Sequence, residues 1–195
     1  MQQRLWAGGC ADSPGQTRSS RIARRLRVPC RNCSYQGQIG DEHRAPIHLS
    51  AVDDRGRLAA QELLRVFGRA FNDSETYQHA IPSEEYLTNL LGKEHFIVVV
   101  AMMEKTVVGG LAAYVLEKFE QQRREIYIYD LAVSDAHRRR GVASETINAL
   151  KKIAAAQGAY VIFVHADLED GPAIALYRSL GTMKAAHHFD IEVGT

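Results

Sequence analysis

Apolar residues recur with a helical or a strand period from residue 46 onward, and each period predicts an element. Residues 46–50 predict a short strand, and Asp53-Asp54 then mark a helix start. The apolar positions that follow lie on one helical face: Leu58, Leu63, Leu64, Val66, Phe67 and Phe71. Ser83 and the two acids after it suit the first turn of a second helix, which Gly92 ends.

The rest of the chain alternates between strand and helix patterns. Residues 95–102 and 106–116 are rich in β-branched side chains and predict a hairpin that turns at Glu104-Lys105. The pattern then predicts a strand at 125–133, a helix at 143–157, a strand at 160–166, a helix at 172–180 and a last strand at 187–193. This order, β-α-α-β-β-β-α-β-α-β, predicts an α/β (α+β) fold with a mixed, mostly antiparallel sheet flanked by helices.

Composition suits one soluble domain with an extension. The chain has 195 residues, of which 46% are hydrophobic and 24% charged, which is enough for one core and too little for two full-size domains. No apolar run reaches the roughly eighteen residues of a membrane span, and no signal-peptide pattern occurs. The sequence therefore predicts a cytoplasmic location and no membrane partner.

Charge divides the chain near residue 44. Residues 1–44 carry eight arginines and no lysine against three acids, a net charge of +5, whereas residues 45–195 carry −4. We interpret residues 1–44 as a disordered basic extension, because they lack an amphipathic period, and residues 45–195 as the folded domain. An acidic domain favours cationic partners over nucleic acid, although the basic extension has the opposite preference.

All three cysteines lie in the extension. Cys30 and Cys33 have a metal-ligand spacing that Cys10 and His43 could complete, but no second tight pair anchors such a site. The sequence predicts no metal, with zinc as the alternative.

The candidate chemistry concentrates where the strand at 125–133 meets the next helix. Arg138, Arg139 and Arg140 precede Gly141 at the predicted helix start. Free N–H groups and the helix dipole favour a phosphate there, and glycine permits its close approach. A solvated basic loop is the alternative, but the position of the arginines favours a diphosphate site.

Two segments carry recognisable motifs. The loop reads Arg138-x-x-Gly141-x-Ala143, and residues 170–181 read as a helix that ends Leu-Tyr-x-x-x-Gly. Both segments resemble motifs of the GNAT acetyltransferases. The resemblance makes residues 45–195 a GNAT domain and implies acetyl-coenzyme A as cosubstrate, with Tyr177 donating to its sulfur. An ordinary amphipathic-helix tyrosine is the alternative for Tyr177. The implied coenzyme-binding residues are Leu131, Ala132, Val133, Arg138, Arg139, Arg140, Gly141, Val142, Ala143 and Ser144.

A more specific resemblance covers residues 46–192. Residues 112–121, 125–133 and 188–191 are similar to the aminoglycoside 3-N-acetyltransferases. This implies acetylation of the 3-amino group of the deoxystreptamine ring in gentamicin-type antibiotics, and so resistance, by a homodimer. An acetyltransferase of polyamines or protein amines is the alternative. A non-catalytic coenzyme-binding domain whose extension contacts nucleic acid is a third reading, which the Arg138, Gly141 and Tyr177 set disfavours.

The resemblance places Asp130 beside the thioester, as the candidate base. Strict alternation puts Asp130 on the face opposite Tyr127 and Tyr129, so Asp130 and Tyr129 both face the acceptor only if a β-bulge intervenes, as is common in the family. A carboxylate that merely caps nearby N–H groups is the alternative.

An aminoglycoside carries several ammonium groups, so carboxylates should line its pocket. Five acids on two loops are candidates alongside Tyr129, with Asp167 and Asp170 preferred, although loop acids often only face water. The five are Asp73, Glu75, Asp167, Glu169 and Asp170.

Overall fold

A computed structural model describes residues 47–52, 56–79 and 81–194 of the chain. The predicted extension at 1–44, its cysteines and the predicted helix start at Asp53-Asp54 lie outside the described residues.

Five strands form one mixed sheet in chain order. They are β1 His48–Ala51, β2 Phe96–Met103, β3 Thr106–Glu117, β4 Arg124–Val133 and β5 Ala159–Val164. The first four pair antiparallel, and short connections join β2, β3 and β4. β5 pairs parallel to β4, because a helix makes the crossover between them. The predicted mixed, mostly antiparallel sheet is confirmed.

Four helices and two short helical turns flank the sheet. Ser83 begins the second helix as predicted, since its Oγ accepts a hydrogen bond from the Tyr86 N–H at 3.1 Å. A π-helical turn, which the sequence did not predict, follows the first helix, and a 3-10 turn precedes the third. The elements are α1 Arg57–Ala70, the π-helical turn Glu75–His79, α2 Glu84–Leu91, the 3-10 turn Asp135–His137, α3 Val142–Ala156 and α4 Gly171–Leu180.

The sheet is covered on both faces. On one face α3 packs through Ile147 and Leu150, and side chains of α4 contribute at its edge. On the other face α1 packs through Leu63 and Phe67. Leu58, which the helical pattern grouped with these residues, is exposed instead. The core therefore has two layers, and the central strands lie between them.

Gly110 of β3 allows α1 to approach the sheet closely. A Cβ at this position would lie 2.4 Å from the Val99 carbonyl oxygen and 2.9 Å from the Leu63 side chain. Since neither neighbour has room to withdraw within a close-packed interior, any larger residue would push α1 outward. This contact fixes the helix from which one wall of the candidate site is built.

The predicted last strand at 187–193 is wrong for the described residues. Residues 182–194 form no strand, and alternate apolar side chains such as Phe189, 80% exposed, and Ile191 face solvent. The alternating pattern shows that the side chains suit a strand. A strand also requires a neighbouring backbone segment with which its N–H and C=O groups form hydrogen bonds. In the described sheet β5 is an edge strand to which this segment does not pair.

Candidate active site

A β-bulge in β4 sets the geometry of the site. Ala112 of β3 lies opposite Asp130, but the next residue, Ala113, lies opposite Ile128, so Tyr129 is an extra residue without its own partner. The extra residue shifts the alternation by one position. Asp130 consequently shares the α1 face of the sheet with Tyr127, and the bulge required by the sequence argument is present.

Asp130 is bonded to a residue that the sequence argument missed. The hydroxyl of Tyr77, in the π-helical turn, donates to Oδ1 of Asp130 at 2.8 Å. Burial raises the pKa of the Asp130 carboxyl, and the Tyr77 hydrogen bond partly opposes that rise. The pKa of Tyr77 is raised as well, first by burial and then by this bond. The one signal for Tyr77 in the sequence is that it is the single Phe, Tyr or Trp residue in the polar stretch 72–80.

A row of aromatic rings lies beside Asp130, and we call it the aromatic row. It consists of Tyr114, Tyr129, Tyr127, Phe163 and His165, which run from β3 across β4 to the end of β5. Tyr129 has edge contacts with both other tyrosines at centroid distances of 5.9 Å, and Phe163 stacks on Tyr127 at 5.0 Å. His165 Nδ1 lies 3.1 Å from the Tyr127 hydroxyl. The row gives the face around the carboxylate flat, electron-rich surfaces.

The arginine loop lies just before the start of α3, as predicted. Arg138 makes its contacts with the loop itself. Its Nε donates to the Val133 carbonyl at 3.2 Å, and its Nη2 pairs with the Asp135 carboxylate at 2.9 Å. Arg139 and Arg140 are exposed, and Arg139 has a positive φ of 59°. Arg138 therefore stabilises the loop, whereas Arg139 and Arg140 remain available to an anion.

Gly141 leaves the N-terminus of α3 open. It has a φ of 80°, and a Cβ there would meet no atom within 4 Å. The amides of the first helical turn can therefore be approached by a phosphate group. This arrangement fits a coenzyme diphosphate.

Several predicted coenzyme residues can contribute only their backbone. The side chains of Ala132, Val133 and Val142 are buried in the core, and those of Leu131, Ala143 and Ser144 are partly buried. Any coenzyme contact at the buried positions would run through N–H and C=O groups.

Tyr177 lies on α4 and packs partly buried against the α3 side of the core. Burial, and secondly the charge of Asp170, raise the pKa of Tyr177 to about 12. The hydroxyl is therefore protonated near neutral pH and is able to donate.

The acids expected around an acceptor have different surroundings. Asp73 accepts a hydrogen bond from the Thr76 N–H at 3.0 Å, which lowers its pKa. Asp170 caps α4 by accepting from the Ala173 N–H at 2.9 Å. Glu75, Asp167 and Glu169 are exposed. The structure thus gives Asp73 and Asp170 local structural roles that the sequence argument did not consider.

The described residues contain neither a cluster of metal ligands nor a helix that could cross a membrane. Across 47–52, 56–79 and 81–194, no three His, Cys, Asp or Glu side chains are grouped as metal ligands. No helix in this part of the chain is long and apolar enough to cross a membrane.

Comparisons with known proteins place this geometry in a family. The profile of the acetyltransferase (GNAT) family matches residues 59–182. An aminoglycoside acetyltransferase from an uncultured soil metagenomic sample is 51% identical, with 76% of this chain and 99% of that chain covered and a TM-score of 0.75. No curated protein sequence matched.

Two further solved structures are similar. An aminoglycoside acetyltransferase from a soil metagenomic sample, in complex with sisomicin, is 30% identical, with 76% and 97% coverage and a TM-score of 0.71. AAC(6')-Iy, in complex with a bisubstrate analogue of coenzyme A and acetylneamine, shares the fold at 14% identity, 76% and 99% coverage and a TM-score of 0.61. With a family match over most of its length, this chain belongs to the acetyltransferase (GNAT) family.

Proposed function

We propose that this chain transfers the acetyl group of acetyl-coenzyme A to an amine of an aminoglycoside, and that the acceptor is the 3-amino group of the deoxystreptamine ring in gentamicin-type compounds. The observation that carries the proposal is the half-buried carboxylate of Asp130, which the bulge at Tyr129 turns toward the aromatic row. The 51% identity to a soil aminoglycoside acetyltransferase supports the substrate class. The resemblance of residues 112–133 supports the position on the ring.

Binding of a polycation suits this surface. The ammonium groups of an aminoglycoside can lie over tyrosine faces, since the ring quadrupole attracts cations, while Asp130 supplies a formal negative charge. Asp73 adds negative charge near the Tyr77 side chain. Asp167, Glu169 and Asp170 lie on the loop before α4 and form the second acidic wall in this proposal.

The diphosphate of the coenzyme would be held by Arg139, Arg140 and the open amides at Gly141. The pantetheine arm of the coenzyme would lie along the backbone of Leu131 to Val133. The coenzyme supplies the acetyl group as a thioester. A backbone N–H near Leu131 would stabilise the thioester oxygen as negative charge develops on it.

Asp130 accepts a proton from the acceptor ammonium, directly or through one water, which frees the nitrogen lone pair. The nitrogen forms a bond to the acetyl carbon and the carbon–sulfur bond breaks. Tyr177 donates a proton to the departing thiolate, and the second proton that the nitrogen loses as the amide forms restores the Tyr177 hydroxyl through solvent. A carboxyl whose pKa is raised by burial is better suited to take this proton than an ordinary aspartate, since its pKa lies nearer to neutrality.

Turnover of acetyl-coenzyme A with gentamicin, spermidine and a lysine peptide in parallel tests the proposal. We expect turnover with gentamicin and an NMR spectrum of the product with the acetyl group on the 3-amino nitrogen. Acetyl at the 6′ or 2′ nitrogen would contradict the position, and rapid acetylation of spermidine or peptide alone would favour the alternative acceptor class. The resemblance also implies a homodimer, which sedimentation velocity would test.

A further inference from the structure

We propose that Tyr77 is the positioning residue for the proton acceptor: its hydroxyl fixes Oδ1 of Asp130 so that Oδ2 is presented to the acceptor amine. The inference rests on the proposed function, because it assigns a partner to the base named there. Its direct basis is the 2.8 Å hydrogen bond between residues 53 positions apart, one in the π-helical turn and one beside the bulge in β4. No residue motif of the sequence identified Tyr77.

The Tyr77 ring is held by α1. It contacts Phe67 edge-on at a centroid distance of 5.9 Å and Phe71 at 5.6 Å. Gly68 of the same helix permits this approach, since a Cβ there would lie 3.1 Å from the Tyr77 Cβ and 2.7 Å from the Gln78 amide nitrogen. The hydroxyl is therefore placed by a rigid helix that the core anchors, as positioning of a catalytic group requires.

The other titratable groups around Asp130 and Tyr77 are phenols and one acid. Tyr114 reaches Asp130 from β3, while Tyr127 and Tyr129 are its neighbours on β4. Asp73 acts on Tyr77 from the segment just before the π-helical turn. Among these groups Tyr77 is the one that donates a hydrogen bond to the carboxylate and counteracts the effect of burial on the pKa of Asp130.

The test compares pH profiles of kcat/KM for Tyr77→Phe and the wild type. Loss of the hydroxyl removes a contribution that lowers the pKa of Asp130, so that pKa rises further and the acid limb of the profile moves to higher pH. We expect a displacement of about one pH unit, since a hydrogen bond to a charged group contributes about this much. The KM for acetyl-coenzyme A should stay unchanged.

Tyr160→Phe is the matched control. This tyrosine also donates to a carboxylate, that of Glu125 at the other end of β4, and is outside the proposed machinery. Its profile should superimpose on that of the wild type. Equal melting temperatures of Tyr77→Phe and wild type would show that the aromatic packing survives.

A double-mutant cycle separates the inference from the function on which it rests. If Tyr77 acts through Asp130, then Tyr77→Phe should cause no further loss of kcat in an Asp130→Asn background. Losses that multiply, or a Tyr77→Phe acid limb that does not move while Asp130→Asn is inactive, would overturn the inference and leave the proposed base intact. Full turnover by Asp130→Asn would instead overturn the base itself, and the role of Tyr77 with it.

Discussion

Tyr127 and Asp130 lie on the same face of β4 although three positions separate them, because Tyr129 is bulged out of the ladder. In a regular strand, positions an odd number apart face opposite sides. The bulge therefore brings a carboxylate next to a row of aromatic rings, on the face of the sheet where α1 and the π-helical turn supply Tyr77. The site depends on this one extra residue.

We expect Asp130→Asn to lower kcat by about 10²- to 10⁴-fold, the usual contribution of a general base, and to change the KM for acetyl-coenzyme A little. In the wild type, kcat/KM should fall as pH drops through the raised pKa of Asp130, and this acid limb should vanish in the variant. Steady-state kinetics between pH 5 and pH 9 measure both. Asp190→Asn, on an exposed segment, is the control for loss of a carboxylate elsewhere.

The same substitution has an effect on stability with a definite sign. Because the folded-state pKa of Asp130 is raised, the stability that this group contributes is fully present below its unfolded-state pKa and is lost as pH rises from there through the folded-state pKa. A neutral Asn avoids burying the charge and keeps an oxygen for Tyr77. The melting temperature of Asp130→Asn at pH 7 should therefore equal or exceed that of the wild type. A clear decrease would mean that Asp130 is mainly structural.

The sequence predicted the elements whose signals are local. Ser83 begins α2 and Gly158, with a positive φ of 72°, follows α3, because capping and left-handed positions select particular residue types. The arginine loop was also predicted, since its residues and the helix start are contiguous. Periodicity identified the faces that pack on the sheet for the same reason.

Features that depend on distant partners were not predictable in the same way. The Tyr77–Asp130 bond joins two residues far apart in sequence, and nothing in the local pattern at 72–80 indicates it. The bulge was expected only from family resemblance, since strict alternation along the strand puts Asp130 on the face of Ile126 and Ile128. The supposed strand at 187–193 failed because alternation cannot show whether a backbone partner exists.

Gly141 and Gly158 offer a matched pair for testing the diphosphate site. Both have a positive φ and open space where a Cβ would stand, so Asp at either position carries a similar backbone strain of about 1 kcal/mol. Only Gly141→Asp places a negative charge at the N-terminus of α3. We expect this variant alone to raise the KM for acetyl-coenzyme A, by on the order of tenfold or more. Equal KM values in the two variants would place the diphosphate elsewhere.

Asp170 allows charge and capping to be separated. Asp170→Asn keeps a side-chain oxygen for the Ala173 N–H and removes only the charge, whereas Asp170→Ala removes both and should cost about 1 kcal/mol of folding stability. If Asp170 binds the drug, both variants should raise the KM for the drug while kcat changes little. Only the alanine variant should lower the melting temperature. Added salt should raise the KM for the drug more in the wild type than in either variant, because salt screens the charge that the variants lack. An unchanged KM in Asp170→Asn would leave Asp170 as a helix cap alone.

Two variants of Tyr129 separate the contribution of its aromatic ring from that of its hydroxyl. Tyr129 is 64% exposed, so replacing it should affect stability little, and any loss of drug affinity reflects direct contact. Tyr129→Leu removes the π-face, and we expect the KM for the drug to rise roughly two- to fivefold, in keeping with an exposed cation–π interaction. Tyr129→Phe keeps the face and should retain nearly the wild-type KM. If the phenylalanine variant is as weak as the leucine variant, the hydroxyl binds the drug by a hydrogen bond, and the rings beside Asp130 shape the cleft without attracting the cation.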